Sequence, residues 1–323
     1  MSSEGFPRLV GDVGGTNARW AWQASPGAGL HHYASYRCAD FASPADVIER
    51  YLIDQNLPTP KRLAFGIATP ITGDRVTMTN HSWSFSIAEL KARLGVERCL
   101  VLNDFAALAG GLSALTPAEL RRVGGGEAVA GAPMAVLGAG TGLGVASVVR
   151  LDQGAGSYRE VIVAGEGGHV TLAACNEREA AVIDALQRRF GHASAERALA
   201  GPGLVNLYSA VCELDGLPNA ALQPADVSAR ALHGGDAACS EAMSLFGAFM
   251  GTVAGNLALT LGAHGGVFIG GGIVPRLGTG FDALPFRERF EAKGRFRSYL
   301  EGIPVWVITA AAPGLYGAAA ALD

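Results

Sequence analysis

The sequence predicts a two-domain α/β protein with a central cleft, and three observations support this fold class. Apolar runs of strand length are followed by stretches of helical periodicity, the pattern of strands joined by crossover helices. The 323 residues exceed what one hydrophobic core usually supports. A glycine-rich turn between two apolar runs opens each half of the chain, at residues 14–17 and 138–144. We therefore expect each domain to begin with a strand–turn–strand hairpin.

The first predicted domain covers residues 1–118 together with about residues 310–323. Its strands are expected at residues 9–13, 18–23, 33–38, 62–67 and 99–102. Its helices are expected at residues 44–52, where Ser43 can cap the N-terminus, at about 105–115, and at 316–322. Prolines and glycines between residues 116 and 133 then mark the domain boundary.

The second predicted domain covers residues 119–309 and repeats the opening architecture. Its strands are expected at residues 134–137, 145–149, 267–269 and 305–309. Its helices are expected at residues 177–189, 194–200, 203–211 and 239–261.

The composition favours a globular protein. Hydrophobic residues make up 49% of the chain and charged residues 17%, which argues against disorder. The net charge of −4, without a basic stripe, argues against a nucleic-acid partner. The chain start lacks the apolar core of a signal peptide, and glycines and His264 interrupt the apolar region 254–275, so we expect no membrane span and a cytoplasmic location. The five scattered cysteines are expected to be buried small hydrophobic residues.

The two glycine turns carry the strongest chemical signal. Backbone N–H groups in such turns can bind phosphate oxygens because no side chain blocks their approach. A strand follows each turn, whereas Walker and Rossmann loops open onto a helix. One such turn could be an ordinary hairpin. Two of them, each opening one half of the chain, are typical of the phosphate loops on opposite sides of the cleft in actin-like ATPases and sugar kinases.

Carboxylates stand at the ends of two predicted strands. Asp12 ends the first strand and could hold Mg²⁺ through water, although an Asp in a turn can also bond its own backbone. Asn103 and Asp104 stand where a buried strand gives way to a helix, a position that suits both catalysis and helix capping. We expect Asp104 to stay ionised near the helix N-terminus.

A carboxylate and an imidazole flank two glycines in the segment Gly165-Glu166-Gly167-Gly168-His169. Two hydrogen-bonding side chains on a pliant loop suit a polyol better than a metal pair, because the glycines disfavour a helix. Glu196, next to Arg197, is equally consistent with an ordinary surface glutamate.

Together these segments resemble the bacterial ATP-dependent glucokinase family of the hexokinase and actin-like superfamily. The matching stretches are LVGDVGGTNAR (9–19), ITGDRVTMTNHSWSFSIAEL (71–90), LNDFAA (102–107), GAGTGLGVA (138–146), GEGGHV (165–170), SAERALAGPGLVNLY (194–208) and GGVFIGGGIVPR (265–276). The resemblance implies a two-domain actin-like ATPase (RNase H-like) fold with a central cleft. It also implies ATP-dependent phosphorylation of D-glucose at the C6 hydroxyl, which yields glucose 6-phosphate.

The resemblance implies a role for each matching residue. Asp104 would be the general base for the C6 hydroxyl, and Asp12 would hold Mg²⁺ through water. The sugar-binding residues would be Asn103, Asp104, Glu166, His169 and Glu196. The ATP-binding residues would be Gly11, Asp12, Gly14, Gly15, Thr16, Asn17, Gly140, Thr141, Gly142, Gly271, Gly272 and Ile273. The segment 79–83 would line the sugar side.

The family resemblance further implies a homodimer with glucose and ATP as partners and Mg²⁺ as cofactor. Three alternatives stay open: a kinase for mannose, fructose or an N-acetylhexosamine, a non-catalytic sugar-sensing protein of the same fold, and an ATPase of the actin or chaperone type. The retained Asp104 argues against the sensor, and the Glu166–His169 segment argues against the simple ATPase.

Overall fold

The structure, a computed structural model, describes residues 4–79 and 81–323. The chain divides into two compact units. Unit 1 contains the chain up to Thr116 together with Ala310–Asp323, and unit 2 contains Pro117–Thr309. Each unit has its own β-sheet and its own buried core. Strands alternate with helices in both units, which confirms the predicted α/β class.

The N-terminal part of unit 1 contains the predicted elements in the predicted order, together with three elements that were not predicted, at residues 75–77, 84–86 and 87–94. They are β1 (Arg8–Val13), β2 (Asn17–Gln23), β3 (His31–Arg37), α1 (Pro44–Asp54), β4 (Arg62–Ile67), β5 (Arg75–Thr77), β6 (Ser84–Ser86), α2 (Ile87–Leu94), β7 (Arg98–Asn103) and α3 (Asp104–Gly111). The predicted cap on α1 is confirmed, because the Ser43 side chain accepts a hydrogen bond from the Asp46 N–H.

Unit 2 contains a second run of strands and helices, and the last helix of the chain returns to unit 1. The elements of unit 2 are β8 (Leu120–Arg122), β9 (Met134–Ala139), β10 (Leu143–Gly154), β11 (Ser157–Gly165), α4 (Glu177–Phe190), α5 (Gly201–Asp215), α6 (Pro224–His233), α7 (Ala237–Leu261), β12 (Gly266–Gly271), α8 (Val274–Leu277), α9 (Phe286–Glu291), α10 (Arg297–Glu301) and β13 (Val305–Ile308). Helix α11 (Gly314–Ala320) belongs to unit 1.

The sheet of unit 1 brings the ends of its parallel strands to one edge. Its order is β3-β2-β1-β4-β7, with β1 antiparallel to β2 and parallel to β4, and β4 parallel to β7. The register places Asp12 beside Gly66 on β4, and Ile67 beside Asn103 on β7. Asp12, the penultimate residue of β1, and Asn103, the last residue of β7, therefore lie on strands two positions apart, or roughly 10 Å.

The sheet of unit 2 repeats this arrangement and adds one strand. Its order is β11-β10-β9-β12-β13-β8, with β9 antiparallel to β10 and parallel to β12, and β12 parallel to β13. One face of this sheet packs on α4, α5, α6 and α7 in the largest hydrophobic core of the molecule. Among the described residues, α7 is the one helix long and apolar enough to cross a membrane, but 72% of its most apolar window is buried. It is a core helix.

One expectation about local structure in unit 2 is wrong. The predicted helix at 194–200 is only a short 3₁₀ turn, Ala195–Arg197, and the residues at its start pair with residues 170–172. Strands β8 and β11 and helices α6, α8, α9 and α10 were not predicted. Strand β11 depends on pairing with β10, which continues five residues beyond the predicted strand end at 149, to Gly154.

The expectation that all cysteines are buried is also wrong. Cys38, Cys212 and Cys239 are buried and Cys99 is partly buried, whereas Cys175 is exposed. Cys175 precedes the N-cap residue of α4, and its backbone N–H donates to Glu179. Cys175 therefore lies on a surface loop and does not fill the core.

Candidate active site

The first glycine turn, residues 14–17 of unit 1, is held by its own backbone and by Cys38. The Gly14 N–H donates to the Asn17 carbonyl at 2.9 Å, and the Cys38 N–H donates to the Thr16 carbonyl at 2.9 Å. The Cys38 thiol lies 3.4 Å from the Gly14 carbonyl, and burial raises its pKa to about 11, so it donates as a neutral group.

Gly14 is not required by packing. A Cβ at this position would meet only the Asn17 carbonyl oxygen, at 3.7 Å, which is ordinary contact. Its φ also lies outside the left-handed region. A glycine that neither packing nor conformation demands leaves open space over the turn, which suits the close approach of a ligand to the backbone.

Gly11, in contrast, is explained by packing within β1. A Cβ there would collide with the Trp20 ring and would lie 2.8 Å from the Phe65 side chain. These two rings form an edge-to-face pair with centroids 5.6 Å apart in the core of unit 1. Gly11 therefore lets the backbone of β1 pack closely on this aromatic pair directly before the turn.

Asp12 is desolvated and paired with one cation. Its Oδ2 accepts a hydrogen bond from Arg19 Nη1 at 3.2 Å. Burial raises the pKa of Asp12, and Arg19 opposes that rise. A Cβ at Gly314 of α11 would lie 3.4 Å from Asp12 Oδ1, so the glycine leaves room beside that oxygen. A single carboxylate oxygen suits Mg²⁺, which keeps several water ligands and binds phosphates.

Asn103 caps α3, and its amide also reaches the segment after β4. Its Oδ1 accepts from the N–H groups of Phe105 at 3.0 Å and Ala106 at 3.2 Å. Its Nδ2 donates to the Thr69 carbonyl at 3.4 Å. The amide is thereby fixed in one orientation, with the acceptor turned to the helix and the donor turned to Thr69.

Asp104 is the first residue of α3, and a glycine behind it permits this position. Its Oδ1 accepts from the Phe105 N–H at 2.9 Å. A Cβ at Gly66 would lie 3.3 Å from Asp104 Cα and 2.8 Å from Ala107 Cβ, so only glycine lets α3 start this close to β4. The sequence reasoning missed Gly66 and Thr69. A glycine inside the apolar run 62–67 was the available signal.

The segment 79–83 connects to the same part of unit 1. Thr69 Oγ1 lies 3.3 Å from Thr79 Oγ1, which links the segment to Asn103 through Thr69. Trp83 is buried, and its indole N–H donates to the Phe41 carbonyl, so it is a core residue. Asn80 of this segment lies outside the described residues.

The second glycine turn, residues 140–143 of unit 2, is held by residues from distant parts of the chain. The Gly140 N–H donates to the Gly142 carbonyl at 2.8 Å within the turn. The Gly201 N–H, at the start of α5, donates to the Gly140 carbonyl at 2.8 Å. The Leu143 N–H donates to Glu196 Oε2 at 2.8 Å. The position of this turn thus depends on two segments that follow it by 53 and 61 residues in the chain.

Gly140, like Gly14, is open. The nearest atom to a Cβ there would be the Gly272 nitrogen at 3.9 Å, whereas a Cβ at Gly142 would lie 2.5 Å from Glu196 Oε2. Gly140 is therefore suited to ligand approach, and Gly142 makes room for the Glu196 carboxylate.

The segment expected to contact adenosine lies against the second turn. The N–H groups of Gly272 and Ile273 donate to the Ala139 carbonyl at 2.9 and 3.1 Å. Gly271 adopts φ +79°, in the left-handed region that favours glycine. Strand β12 therefore ends in a tight turn beside Ala139, directly before Gly140.

Glu166 and His169 are exposed side chains on a short 3₁₀ turn that follows β11. The two glycines between them allow this turn to pack on β10. A Cβ at Gly168 would collide with the Leu143 carbonyl oxygen, and one at Gly167 would lie 3.0 Å from the Val145 side chain. Glu166 and His169 thus lie directly beside the strand that follows the second glycine turn.

Glu196 lies half-buried on a rigid base. Ala195 is fully buried, and its N–H donates to the Val170 carbonyl at 2.9 Å, which ties this turn to the end of the Glu166–His169 segment. Arg197 stacks on the Phe190 ring at 4.2 Å. The carboxylate of Glu196 bonds Leu143, so Glu196 is not a surface glutamate that pairs with the adjacent arginine.

The structure therefore gathers the predicted residues into two groups, one in each unit. In unit 1, Asp12, the turn 14–17, Asn103 and Asp104 lie at the carboxyl ends of parallel strands. In unit 2, residues 140–142, the segment 271–273, Glu166, His169 and Glu196 surround the start of β10. Within residues 4–79 and 81–323, no cluster of three or more His, Cys, Asp or Glu side chains suited to a metal occurs.

Comparison with known proteins gives the same family from sequence and from structure. The glucokinase family model matches residues 9–323. A glucokinase of Aromatoleum aromaticum is 52% identical over 322 residues, covering 99% of this chain and 96% of that protein. One of Chromobacterium violaceum is 50% identical over 319 residues, covering 99% of this chain and 90% of that protein. The crystal structure of a glucokinase from an Antarctic psychrotroph is similar with a TM-score of 0.88, at 35% identity, covering 98% of both chains.

Proposed function

Because the chain belongs to the glucokinase family, with its two-domain actin-like ATPase fold, we propose that it transfers the γ-phosphoryl group of ATP to the C6 hydroxyl of D-glucose. The products are ADP and glucose 6-phosphate. One observation supports this function above the others. In unit 2, residues 143–145 contact or adjoin two features. One is a glycine turn open to phosphates, and the other is a set of three side chains suited to sugar hydroxyls.

In unit 2, Glu166, His169 and Glu196 hold the sugar hydroxyls. Each side chain can accept a directed hydrogen bond, so a sugar that lacks or inverts a hydroxyl leaves a polar group unpaired. Such a mismatch typically costs about 1–3 kcal/mol. Gly140, Thr141 and Gly142 bind phosphate oxygens through the backbone, and Gly271, Gly272 and Ile273 contact the adenosine.

In unit 1, Gly14, Gly15, Thr16 and Asn17 bind phosphates, Asn103 binds the sugar, and Asp104 is the general base. Asp104 orients the C6 hydroxyl and accepts its proton as the oxygen bonds to the γ-phosphorus and ADP leaves. Phosphoryl transfer passes through a loose transition state, so the carboxylate contributes mainly by orienting the hydroxyl. Asn103 begins the helix on which Asp104 stands, so its cap also fixes the base.

Asp12 is the residue we propose for Mg²⁺, through water. The carboxylate is desolvated, and one of its oxygens is engaged by Arg19, which leaves it suited to a metal that takes most of its ligands from water and phosphate. When bound, Mg²⁺ neutralises charge on the phosphate oxygens.

The test is an ATP-consumption assay with and without glucose, followed by a panel of mannose, fructose and N-acetylglucosamine. We expect ATP consumption to depend on sugar and the kcat/KM for glucose to exceed that for each other sugar at least tenfold. Consumption without sugar would identify a simple ATPase. A higher kcat/KM for another hexose would move the assignment to that sugar, and glucose binding without turnover would identify a sensor.

We also propose that the enzyme acts in the cytoplasm as a homodimer, on the strength of the family resemblance. Light scattering on the purified protein would test the homodimer, for which we expect twice the mass of the 33.2 kDa chain.

A further inference from the structure

Glu196 contacts the second glycine turn directly, although it comes 53 residues later in the chain than the residue it binds. Its Oε2 accepts the Leu143 N–H at 2.8 Å. The same oxygen occupies the space that a side chain at residue 142 would need, since a Cβ at Gly142 would lie 2.5 Å from it. The carboxylate therefore serves as a support for the turn, and glycine at position 142 makes room for it.

The base of Glu196 is rigid, so the contact positions the turn as well as touching it. Ala195 and Ala198 on either side are fully buried. The backbone of residues 193–195 pairs with residues 170–172, directly after His169. A hydrogen bond to a charged acceptor is stronger than one between neutral groups. Because the backbone around Glu196 is fixed by these contacts, this bond also fixes the position of the turn.

We propose that Glu196 couples sugar binding to nucleotide binding within unit 2: one carboxylate positions the 140–143 turn for phosphates and also accepts a sugar hydroxyl. This inference rests on the proposed function for both the sugar role and the phosphate role. A sugar hydroxyl that fixes the carboxylate also fixes the Leu143 N–H, and phosphates that order the turn also fix the carboxylate. By thermodynamic linkage each ligand then raises the affinity for the other by the same factor.

The first experiment measures binding of Mg²⁺–AMPPNP by calorimetry with no sugar present. Glu196→Ala removes the support of the turn, and we expect about a tenfold weaker affinity, the size typical of losing a hydrogen bond to a charged group. Glu166→Ala is the matched control. It also removes a sugar-facing carboxylate, but Glu166 does not bond the turn through its side chain, so its AMPPNP affinity should stay within twofold of the unchanged protein.

The second experiment approaches the same contact from the turn and measures glucose binding with no nucleotide present. Gly142→Ala would push the Glu196 carboxylate aside, because the added Cβ meets the end of that flexible side chain. No backbone atom outside the neighbouring residues lies within 4 Å of this Cβ. We expect about a tenfold weaker glucose affinity. Gly140→Ala is the control, since the nearest atom to its Cβ lies at 3.9 Å, and its glucose affinity should stay within twofold.

A folded Glu196→Ala variant with unchanged AMPPNP affinity would overturn the proposal, as would equal glucose affinities for the two glycine variants. If Glu196→Ala does not fold, Glu196→Gln replaces it, with a smaller weakening expected because a neutral amide oxygen is a poorer acceptor. Unchanged AMPPNP affinity in that variant would overturn the proposal equally. Failure of the proposed function is recognised separately, because the unchanged protein would then not turn over glucose, whatever the AMPPNP affinities.

Discussion

The two glycine turns occupy equivalent places in two sheets of the same strand order, yet they are held in different ways. The turn at 14–17 is fixed by bonds within itself and by Cys38, which follows the strand next to it. The turn at 140–143 is fixed by Gly201 and Glu196, which come from later segments of unit 2. The first turn is thus held by its own backbone and by one residue after the neighbouring strand. The second turn is held by two segments that come much later in the chain.

This difference indicates how each turn contributes to the proposed site. In unit 1 the residues that hold the turn are separate from the proposed base, Asp104, which begins the helix after β7. In unit 2 the turn shares its supporting residue, Glu196, with the proposed sugar-binding set. We therefore expect changes at Asp104 to act mainly on turnover, and changes in the unit 2 set to act mainly on ligand affinity. The predictions below test that division.

The largest expected effect is on turnover, from Asp104→Asn in unit 1. The amide still forms hydrogen bonds but cannot take the proton of the C6 hydroxyl, so kcat should fall about a thousandfold, within the range typical of general-base loss. Glucose affinity, measured by calorimetry, should change little. A kcat near that of the unchanged enzyme would remove Asp104 from the chemical step.

The next largest effect is on stability, from a residue outside both turns. Glu179 forms a buried ion pair with Arg289 at 2.6 Å, with 3% and 16% of the two side chains exposed. Glu179→Gln leaves the guanidinium buried without its counter-charge, which should cost about 3–5 kcal/mol in the free energy of unfolding measured with urea.

The control for this variant is Glu213→Gln. Glu213 pairs with Arg188, but 60% and 53% of these side chains are exposed. Solvent screens this pair, so we expect a loss of less than about 1 kcal/mol. Equal losses in both variants would contradict the assignment of Glu179 and Arg289 as a buried structural pair.

The same pair predicts a pH dependence of stability. Burial alone would raise the pKa of Glu179, but bonds from Arg289, the Cys175 N–H and Asn176 outweigh it and hold the pKa below its ordinary value. The pair's contribution is therefore complete above a pH of about 4.5 and is lost as the pH falls through the lowered value. Urea unfolding between pH 6 and 3 should show a steeper loss for the unchanged protein than for Glu179→Gln.

A smaller effect is expected on sugar affinity, from Glu166→Ala and His169→Ala in unit 2. Each removes one hydrogen-bonding partner of the sugar, and the glucose KM should rise roughly tenfold or more. The value of kcat should change less than KM. If the glucose KM stays unchanged in both variants, the Glu166–His169 segment does not bind the sugar.

The smallest effect is expected from Cys38→Ala at the first turn. The thiol makes one weak bond to Gly14, and the Cys38 N–H keeps its bond to Thr16 whatever side chain is present. The ATP KM should therefore change less than about twofold, since a bond of this kind contributes about 1 kcal/mol or less. A tenfold rise would mean that the first turn, like the second, relies on a side chain from outside it.

Local sequence signals were reliable where the structure they describe is local. Ser43 caps α1, the 25-residue helix α7 lies at the predicted place, and both glycine turns separate paired strands. The signals failed where a segment also pairs with distant backbone. Residues 194–200 have helix-forming composition, but they form only a 3₁₀ turn, and the Ala195 N–H at its start donates to the Val170 carbonyl.

The α/β class, the two glycine turns and the family could be predicted from the sequence, because they depend on periodicity, on residues that leave the backbone open, and on motif order. Only the three-dimensional structure shows that Glu196 contacts the second glycine turn, since nothing near it in the chain distinguishes it from a surface glutamate. It also revealed why Gly66, Gly142 and Gly168 are glycines: each makes room for an atom from another segment. The type of a side chain sets the chemistry that a residue can offer, but folding decides which distant atoms that side chain contacts.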